Sequence, residues 1–96
     1  MVGGNGAKPP EDGELLEFPC ELDIKVFVRA TQDLEQHVHA LLLQHLQPEQ
    51  VIGIRRRVSR KGNYHALSCQ VRANSRDELD GVYRTLSEHP DILMVL

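Results

Sequence analysis

Long apolar segments are absent from this sequence of 96 residues. No run approaches the roughly 20 apolar residues that a membrane-spanning helix requires, so we expect no association with a membrane. Residues 1–6 have neither a basic start nor an apolar core, so no secretory signal peptide is visible and we expect a cytoplasmic protein. The composition, 41% hydrophobic and 26% charged residues, is typical of one soluble globular domain.

Residues that bind metals or form disulfides are few. Cys20 and Cys69 are the only cysteines, and they lie too far apart in sequence for a local metal site, although one disulfide between them is conceivable. Cys69 lies on the apolar side of an alternating segment, which favours a core role over a redox or nucleophilic one. His37 and His39 diverge on a helix, and no ligand set has zinc spacing, so we expect neither a metal nor another cofactor.

Catalytic motifs are also missing. Ser59 and Ser68 have no placed histidine partner, Asp23 has no paired carboxylate, and no glycine-rich phosphate loop occurs. His65 follows Tyr64 directly on one predicted strand, so their side chains point to opposite faces. We therefore expect a protein that is not an enzyme.

The clearest structural pattern is a β-hairpin, with strands over residues 51–60 and 64–73. Both segments alternate between apolar and polar residues, as strands with one buried side do. Gly62 and Asn63 tolerate the positive φ that a reversal of the chain needs. On the outgoing strand, one buried face is predicted for Ile52, Ile54 and Val58.

One strand and one helix precede the hairpin. Residues 22–30 alternate regularly and predict a strand. The helix that follows is predicted to be capped by Asp33 and to run through Leu46, with His45 favoured at its C-terminal end by the helix dipole. Before these elements, Phe18 belongs to an apolar lead-in that we expect to reach Tyr64.

A second helix and a final strand follow the hairpin. Ser75 and Glu78 form a capping box in which each side chain is expected to bind the other residue's amide. Gly81 weakens the helix but is expected to allow close packing on the sheet. The apolar residues 92–96 predict the last strand.

The order of elements, β-α-β-β-α-β, defines the fold class. Right-handed crossovers favour a four-stranded antiparallel sheet of order 4-1-3-2 with both helices on one face, the α+β ferredoxin-like plait. We expect residues 1–14 to form a disordered N-terminal tail, because they are rich in glycine, proline and acidic residues. Residues 15–96 then form a single domain.

Four short blocks of this sequence resemble the YbeD-like family of small uncharacterised bacterial proteins. They are Leu15-Leu16-Glu17-Phe18-Pro19, Ile24-Lys25-Val26, Lys61-Gly62-Asn63-Tyr64-His65 and Leu93-Met94-Val95-Leu96. The resemblance implies an ACT-like domain, similar to regulatory domains that share this plait and bind small effectors at domain interfaces. Genes of the family often lie beside those for lipoate attachment, which implies a link to lipoate metabolism. The resemblance implies no particular activity or ligand.

The open face of the sheet is the first candidate site. We expect it to carry exposed aromatic and basic side chains that bind a small effector or a protein partner, including a second copy of this chain as a homodimer. The candidate surface consists of Phe27, Arg29, Tyr64 and Arg72. The leading hypothesis is a non-catalytic regulatory or adaptor domain.

The basic hairpin is the second candidate. The net charge is −3, yet residues 49–96 carry eight basic and six acidic side chains. An anion or nucleic-acid contact is the alternative function, with the residues Arg55, Arg57, Arg60 and Lys61. Charged side chains that merely protect an edge strand are the competing interpretation. Nucleic acid is disfavoured, because the chain is acidic and lacks the alternating aromatics of RNA-recognition motifs.

Overall fold

A computed structural model describes residues 17–30 and 33–96. The predicted tail, residues 1–14, lies outside the described residues, as do Leu15 and Leu16 of the lead-in. The elements are β1 (Cys20–Arg29), α1 (Glu35–Leu42), a 3₁₀ turn (Pro48–Gln50), β2 (Val51–Val58), β3 (Tyr64–Ala73), α2 (Arg76–Glu88) and β4 (Ile92–Val95). Neither helix of this described part is long and apolar enough to cross a membrane.

The four strands form one antiparallel sheet in the order β2-β3-β1-β4. This is the predicted order 4-1-3-2 counted from the opposite edge, and it confirms the predicted α+β plait. The central pair, β1 and β3, matches over its whole length, from Cys20 opposite Ala73 to Arg29 opposite Tyr64. Strands β2 and β4 are the two edges of the sheet.

The core lies between the sheet and the two helices. Side chains of β1 and β3 that alternate inward meet the apolar stripes of α1 and α2. The fully buried large side chains are Ile24, Val26, Val28, Val38, Leu42, Leu67, Cys69, Val71, Leu79, Val82 and Leu86. Both helices therefore cover the same face, and residues 17–30 and 33–96 leave the other face of the sheet open.

A β-bulge corrects the predicted faces of β2. Val51 pairs with Val71 and Gly53 pairs with Gln70, so Ile52 is an extra residue between two consecutive partners. Ile52 is 49% exposed and Val58 is 55% exposed, so neither shares a buried face with Ile54. Beyond the bulge, Arg55 and Arg57 point to the open face, because they stand opposite Ser68 and Ala66. Strict alternation in the sequence gave no sign of this extra residue.

Helix α1 is shorter than predicted at both ends. Leu34 occupies the N-cap without a side-chain hydrogen bond, so the predicted cap by Asp33 is wrong. The helix ends at Leu42, and His45 lies in the turns beyond it. The ring of His45 instead reaches α2, where its Nε2 lies 2.6 Å from Oγ1 of Thr85.

One of the two hydrogen bonds predicted for the capping box of α2 is formed. The amide of Glu78 donates to Oγ of Ser75 (3.2 Å). The carboxylate of Glu78 binds the amide of Asn74 (2.9 Å) instead of that of Ser75, and it also accepts a hydrogen bond from Nε2 of Gln50 (2.9 Å). Gln50 is buried and donates to the carbonyl of Arg72 as well (2.9 Å), so it joins the 3₁₀ turn, β3 and α2.

Gly81 allows a close contact within the helical layer. A Cβ at this position would lie 2.6 Å from Nδ1 of His45 and 2.9 Å from its Cε1. The partner of Gly81 is therefore the ring that follows α1, and the predicted packing of this glycine on the sheet is wrong.

Candidate functional site

The open face of the sheet holds the candidate residues, and the strand register fixes their neighbours. Residues opposite each other on antiparallel strands share one face. Arg29 stands opposite Tyr64, and Phe27 stands opposite Ala66 on β3 and Met94 on β4. Phe27, Arg29 and Tyr64 are thus brought together, at the end of the sheet next to the hairpin turn.

Residues of β4 that were not predicted as part of the site extend this group. A depression of about 490 Å³ is lined by Phe27, Arg29, Tyr64, Leu93 and Met94. Tyr64 is 48% and Met94 is 47% exposed, although both are large and largely apolar. We call Phe27, Tyr64, Leu93 and Met94 the apolar patch. Alternation alone would place the adjacent residues Leu93 and Met94 on opposite faces. A register shift in β4, where Leu93 lies between the partners of Val28 and Phe27, brings both to this depression.

Arg72 does not belong to this group. It stands opposite Glu21, eight residues along β3 from Tyr64, which corresponds to about 27 Å at the rise of an extended strand. Phe18 precedes β1 at that same distant end and packs against the core, so the expected contact between Phe18 and Tyr64 is not formed. The four residues predicted as one surface therefore lie in two places.

A second depression, of about 540 Å³, lies beside the apolar patch on the same face. Its floor is formed by Gly53, Ala66 and Ser68, which are small. Longer side chains stand on both sides of this floor, with Arg55 and Arg57 on β2 and Lys25 on β1. We call the group Lys25, Gly53, Arg55, Arg57, Ala66 and Ser68 the cationic trough.

The predicted anion contact is divided in the same way as the predicted partner surface. Arg55 and Arg57 line the cationic trough, whereas Arg60 and Lys61 lie in the turn after β2. This turn closes through the amide of Gly62, which donates to the carbonyl of Ser59 (2.9 Å), and Gly62 has the positive φ of 74° that was predicted there. Because β2 is an edge of the sheet, its exposed arginines also fit the competing interpretation that charged side chains protect that edge.

The two cysteines form no disulfide within the described residues. Both are free; Cys69 is fully buried, and burial raises the pKa of its thiol to about 12. Cys20 of β1 stands opposite Ala73 of β3, and Cys69 lies four residues before Ala73 on that strand. That separation of roughly 13 Å is too long for a disulfide. The core role predicted for Cys69 is confirmed.

Two histidines meet where α1 passes the end of α2. Nε2 of His37 lies 2.9 Å from Nε2 of His89, and the amide of Asp91 donates to Nδ1 of His89 (3.1 Å). In neutral His89 the proton must therefore be on Nε2, which donates to His37. The lone pair that a metal would need is thus already used. Over residues 17–30 and 33–96, no group of three or more potential ligands could hold a metal ion.

Comparison with known proteins gives relatives over nearly the whole chain. The profile of a family described as "Protein of unknown function (DUF493)" matches residues 13–96. UPF0250 protein RSc0326 of Ralstonia nicotianae is 38% identical over 91 residues, which cover 94% of this chain and 92% of that protein. UPF0250 protein BPP0168 of Bordetella parapertussis is 36% identical over 88 residues, which cover 92% and 96% of the two chains.

Solved structures include a neighbour with the same fold. The solution structure of protein HP0495 from H. pylori superimposes with a TM-score of 0.62 and covers 100% of this chain and 97% of its own. Since the two sequences are only 13% identical, this likeness supports the fold alone. Together with the UPF0250 relatives, the family match confirms the resemblance to YbeD-like proteins that the four sequence blocks indicated.

Proposed function

Because this chain belongs to the DUF493 family, whose function is unknown, we propose a role from its geometry: a non-catalytic binding domain that docks a protein partner on the apolar patch. The observation that carries the proposal is the exposure of Tyr64 and Met94, side by side with Phe27, on a face that neither helix covers. Exposed apolar clusters with a polar rim are typical of protein-binding surfaces.

The edge of β4 favours an extended partner segment. In the described sheet, β4 pairs only with β1, so its outer edge presents backbone donors and acceptors. A strand that adds to such an edge gains backbone hydrogen bonds, and its alternate side chains fall on the open face. There they would contact Met94 on β4, with Phe27 of β1 directly behind it. Arg29, at the rim, favours an acidic residue in that segment.

The experiment compares two substitutions that are matched in exposure. Met94→Glu places a charge in the apolar patch, and Ile52→Glu places the same charge on the opposite edge, where the native side chain is 49% exposed. Proteins captured from the source cells and retained by Ile52→Glu but lost by Met94→Glu support the proposal. Equal capture by both variants contradicts it. A double variant, Phe27→Ala with Tyr64→Ala, should lose the same proteins as Met94→Glu.

Self-association is one form of the same proposal. A second copy could place its own β4 along this edge, which would make a homodimer with a continuous sheet. Light scattering across protein concentration measures the solution mass directly. A dimer that Met94→Glu converts to a monomer would identify the partner as a second copy, whereas a monomer at all concentrations would leave a different protein as the partner.

The regulatory role and the link to lipoate metabolism are parts of this proposal that the YbeD-like resemblance motivates, and a cytoplasmic location is part of it as well. A regulatory domain in that pathway should alter its output. We therefore expect deletion of the gene to change the amount of lipoylated protein in the cell, as measured by immunoblotting with an antibody to lipoate. Unchanged lipoylation would separate the binding domain from this pathway.

A further inference from the structure

We infer that the cationic trough is a binding site for a small organic phosphate or carboxylate, held by Lys25, Arg55 and Arg57. The site is separate from the apolar patch, with which it shares only the ring of Phe27 at their boundary. It therefore goes beyond the proposed partner surface, and the two can be tested independently.

The first argument is the arrangement of the three cations. Arg55 and Arg57 are two residues apart on β2, which separates their Cα atoms by roughly 7 Å on the same face. Lys25 stands opposite Ser68, and Ser68 stands opposite Arg55, so Lys25 faces the arginines across two strand spacings, roughly 10 Å. Side chains of this length can converge on one oxyanion between them, with two guanidinium forks on one side and an ammonium on the other.

The second argument is the shape of the floor. Ser68 and Ala66 lie on β3 between Lys25 and the two arginines, and Gly53 precedes Arg55 on β2. Large side chains at these three positions would fill the space, but these small residues leave a depression of about 540 Å³. Sites for small molecules commonly have volumes of about 300–1,000 Å³. The Ser68 hydroxyl lies at the centre of the floor and can donate a hydrogen bond to the bound oxyanion.

The third argument is that the three cations have no acidic partner in the part of the chain that the structure describes. The ion pair present there is a different one, between Arg76 and Asp80 on α2. Lys25, Arg55 and Arg57 are all exposed. Three cations on one side of a sheet repel one another, and an anion placed between them removes that repulsion.

The two ends of the trough define the ligand further. Asp23 lines one end together with Gln70, and Phe27 lines the other. The Asp23 carboxylate repels a second anionic group, so the charged part of the ligand is confined to the middle of the trough. An apolar or aromatic part would then lie toward Phe27. A long polyanion fits less well, because Asp23 and Glu21 follow one another along the open face of β1.

The experiment uses phenyl phosphate as the probe for this chemistry. The full chain, labelled with ¹⁵N, is titrated at constant ionic strength with phenyl phosphate, inorganic phosphate and phenol, and amide shifts are recorded. We expect saturable shifts at Gly53, Ala66 and Ser68 with phenyl phosphate, weaker binding of inorganic phosphate, and none of phenol. Shifts centred on the hairpin turn, or equal binding of phenol, would overturn the assignment.

Charge-matched variants test which cations are used. Arg55→Gln with Arg57→Gln should weaken phenyl phosphate binding about tenfold or more, because two charge-assisted contacts are lost. The control, Arg60→Gln with Lys61→Gln, removes the same charge from the turn and should change affinity by less than about twofold, since exposed charges at that distance are largely screened. Equal weakening in both variants would show a diffuse charge effect and would refute the site.

Three further measurements complete the test. Asp23→Asn should strengthen phenyl phosphate binding, because it removes a repelling carboxylate; unchanged or weaker binding would contradict the proposed position of the ligand. Tighter binding of a short oligothymidylate than of phenyl phosphate, through the same arginines, would make the trough a nucleic-acid surface instead. Met94→Glu should leave phenyl phosphate binding intact, so failure of the partner surface and failure of the trough are distinguishable.

Discussion

The contact between Gly81 and His45 determines whether a Gly81→Ala substitution raises or lowers the free energy of unfolding. In a helix without tertiary contacts, alanine is more favourable than glycine by about 1 kcal/mol. Here an added Cβ would lie 2.6 Å from Nδ1 of His45, which is shorter than van der Waals contact. The ring must therefore move away, and its hydrogen bond with Thr85 (2.6 Å) is lost with it.

The magnitude follows from these opposing effects. A lost hydrogen bond costs about 1 kcal/mol, and overpacking typically costs about 1–3 kcal/mol when the neighbours cannot yield fully. Since His45 is only half-buried and can yield in part, we expect Gly81→Ala to lower the free energy of unfolding by about 0–2 kcal/mol. In a His45→Ala background the ring is absent, so the same substitution should raise the free energy of unfolding by about 1 kcal/mol.

The assay is urea unfolding followed by far-ultraviolet circular dichroism, because the chain has no tryptophan for fluorescence. The wild type, the two single variants and the double variant form a cycle with an expected coupling of about 1–3 kcal/mol. Gly53→Ala is the control, since no atom lies within 4 Å of its added Cβ, and its effect should not depend on His45. If Gly81→Ala stabilised both backgrounds equally, the reasoning would be refuted.

Three other substitutions test which contacts stabilise the domain that carries the site. Ser75→Ala removes the oxygen that accepts a hydrogen bond from the amide of Glu78. Thermal unfolding should show that the free energy of unfolding falls by about 1 kcal/mol. Gln50→Leu keeps the bulk but removes the donor to Glu78 and to the Arg72 carbonyl, so urea unfolding should show a loss of about 1–3 kcal/mol; no loss would mean that water replaces the amide. Burial raises the pKa of the Cys69 thiol from 9.0 to about 12, so the folded state holds this proton more tightly than the unfolded state. The resulting stabilisation is complete below pH 9 and is lost by about 1.4 kcal/mol per pH unit as the pH rises toward 12. Cys69→Ala should remove this contribution in unfolding measured across the range, and part of the dependence should remain because burial also raises the pKa of Tyr83.

The sequence predicted the fold because its strongest patterns are local and agree with one another. Alternation in residues 64–73 matches β3 at both ends, and alternation in residues 22–30 assigned the inward and outward faces of β1 correctly. Helix α2 begins directly after the capping residue Ser75, as predicted. Right-handed crossovers then leave one compact sheet order, and the structure has it.

The errors at Ile52, Gly81 and Arg72 concern features that a local sequence pattern does not contain. The bulge at Ile52 looks like ordinary alternation, because the extra residue is itself apolar. The partner of Gly81 is His45, 36 positions earlier in the chain, and a helix pattern names no such neighbour. Arg72 and Tyr64 share a face of β3, but alternation says nothing about distance along a strand. The cationic trough depends on the lateral alignment of β1, β3 and β2, which only the register supplies.

Gln50 holds the first half of β2 in place, so the second half should open more readily. Its amide joins the start of the strand to Arg72 and Glu78, so backbone amides there can exchange with solvent only when buried hydrogen bonds break. The far half of β2, which carries Arg55 and Arg57, ends in an exposed turn. Opening of this edge therefore proceeds from the turn toward Gln50. An anion bound by both arginines and by Lys25 would link this half of β2 to β1 and stabilise it against opening. Ligand binding in the trough should therefore slow amide exchange in the half of β2 that carries the arginines, and only there.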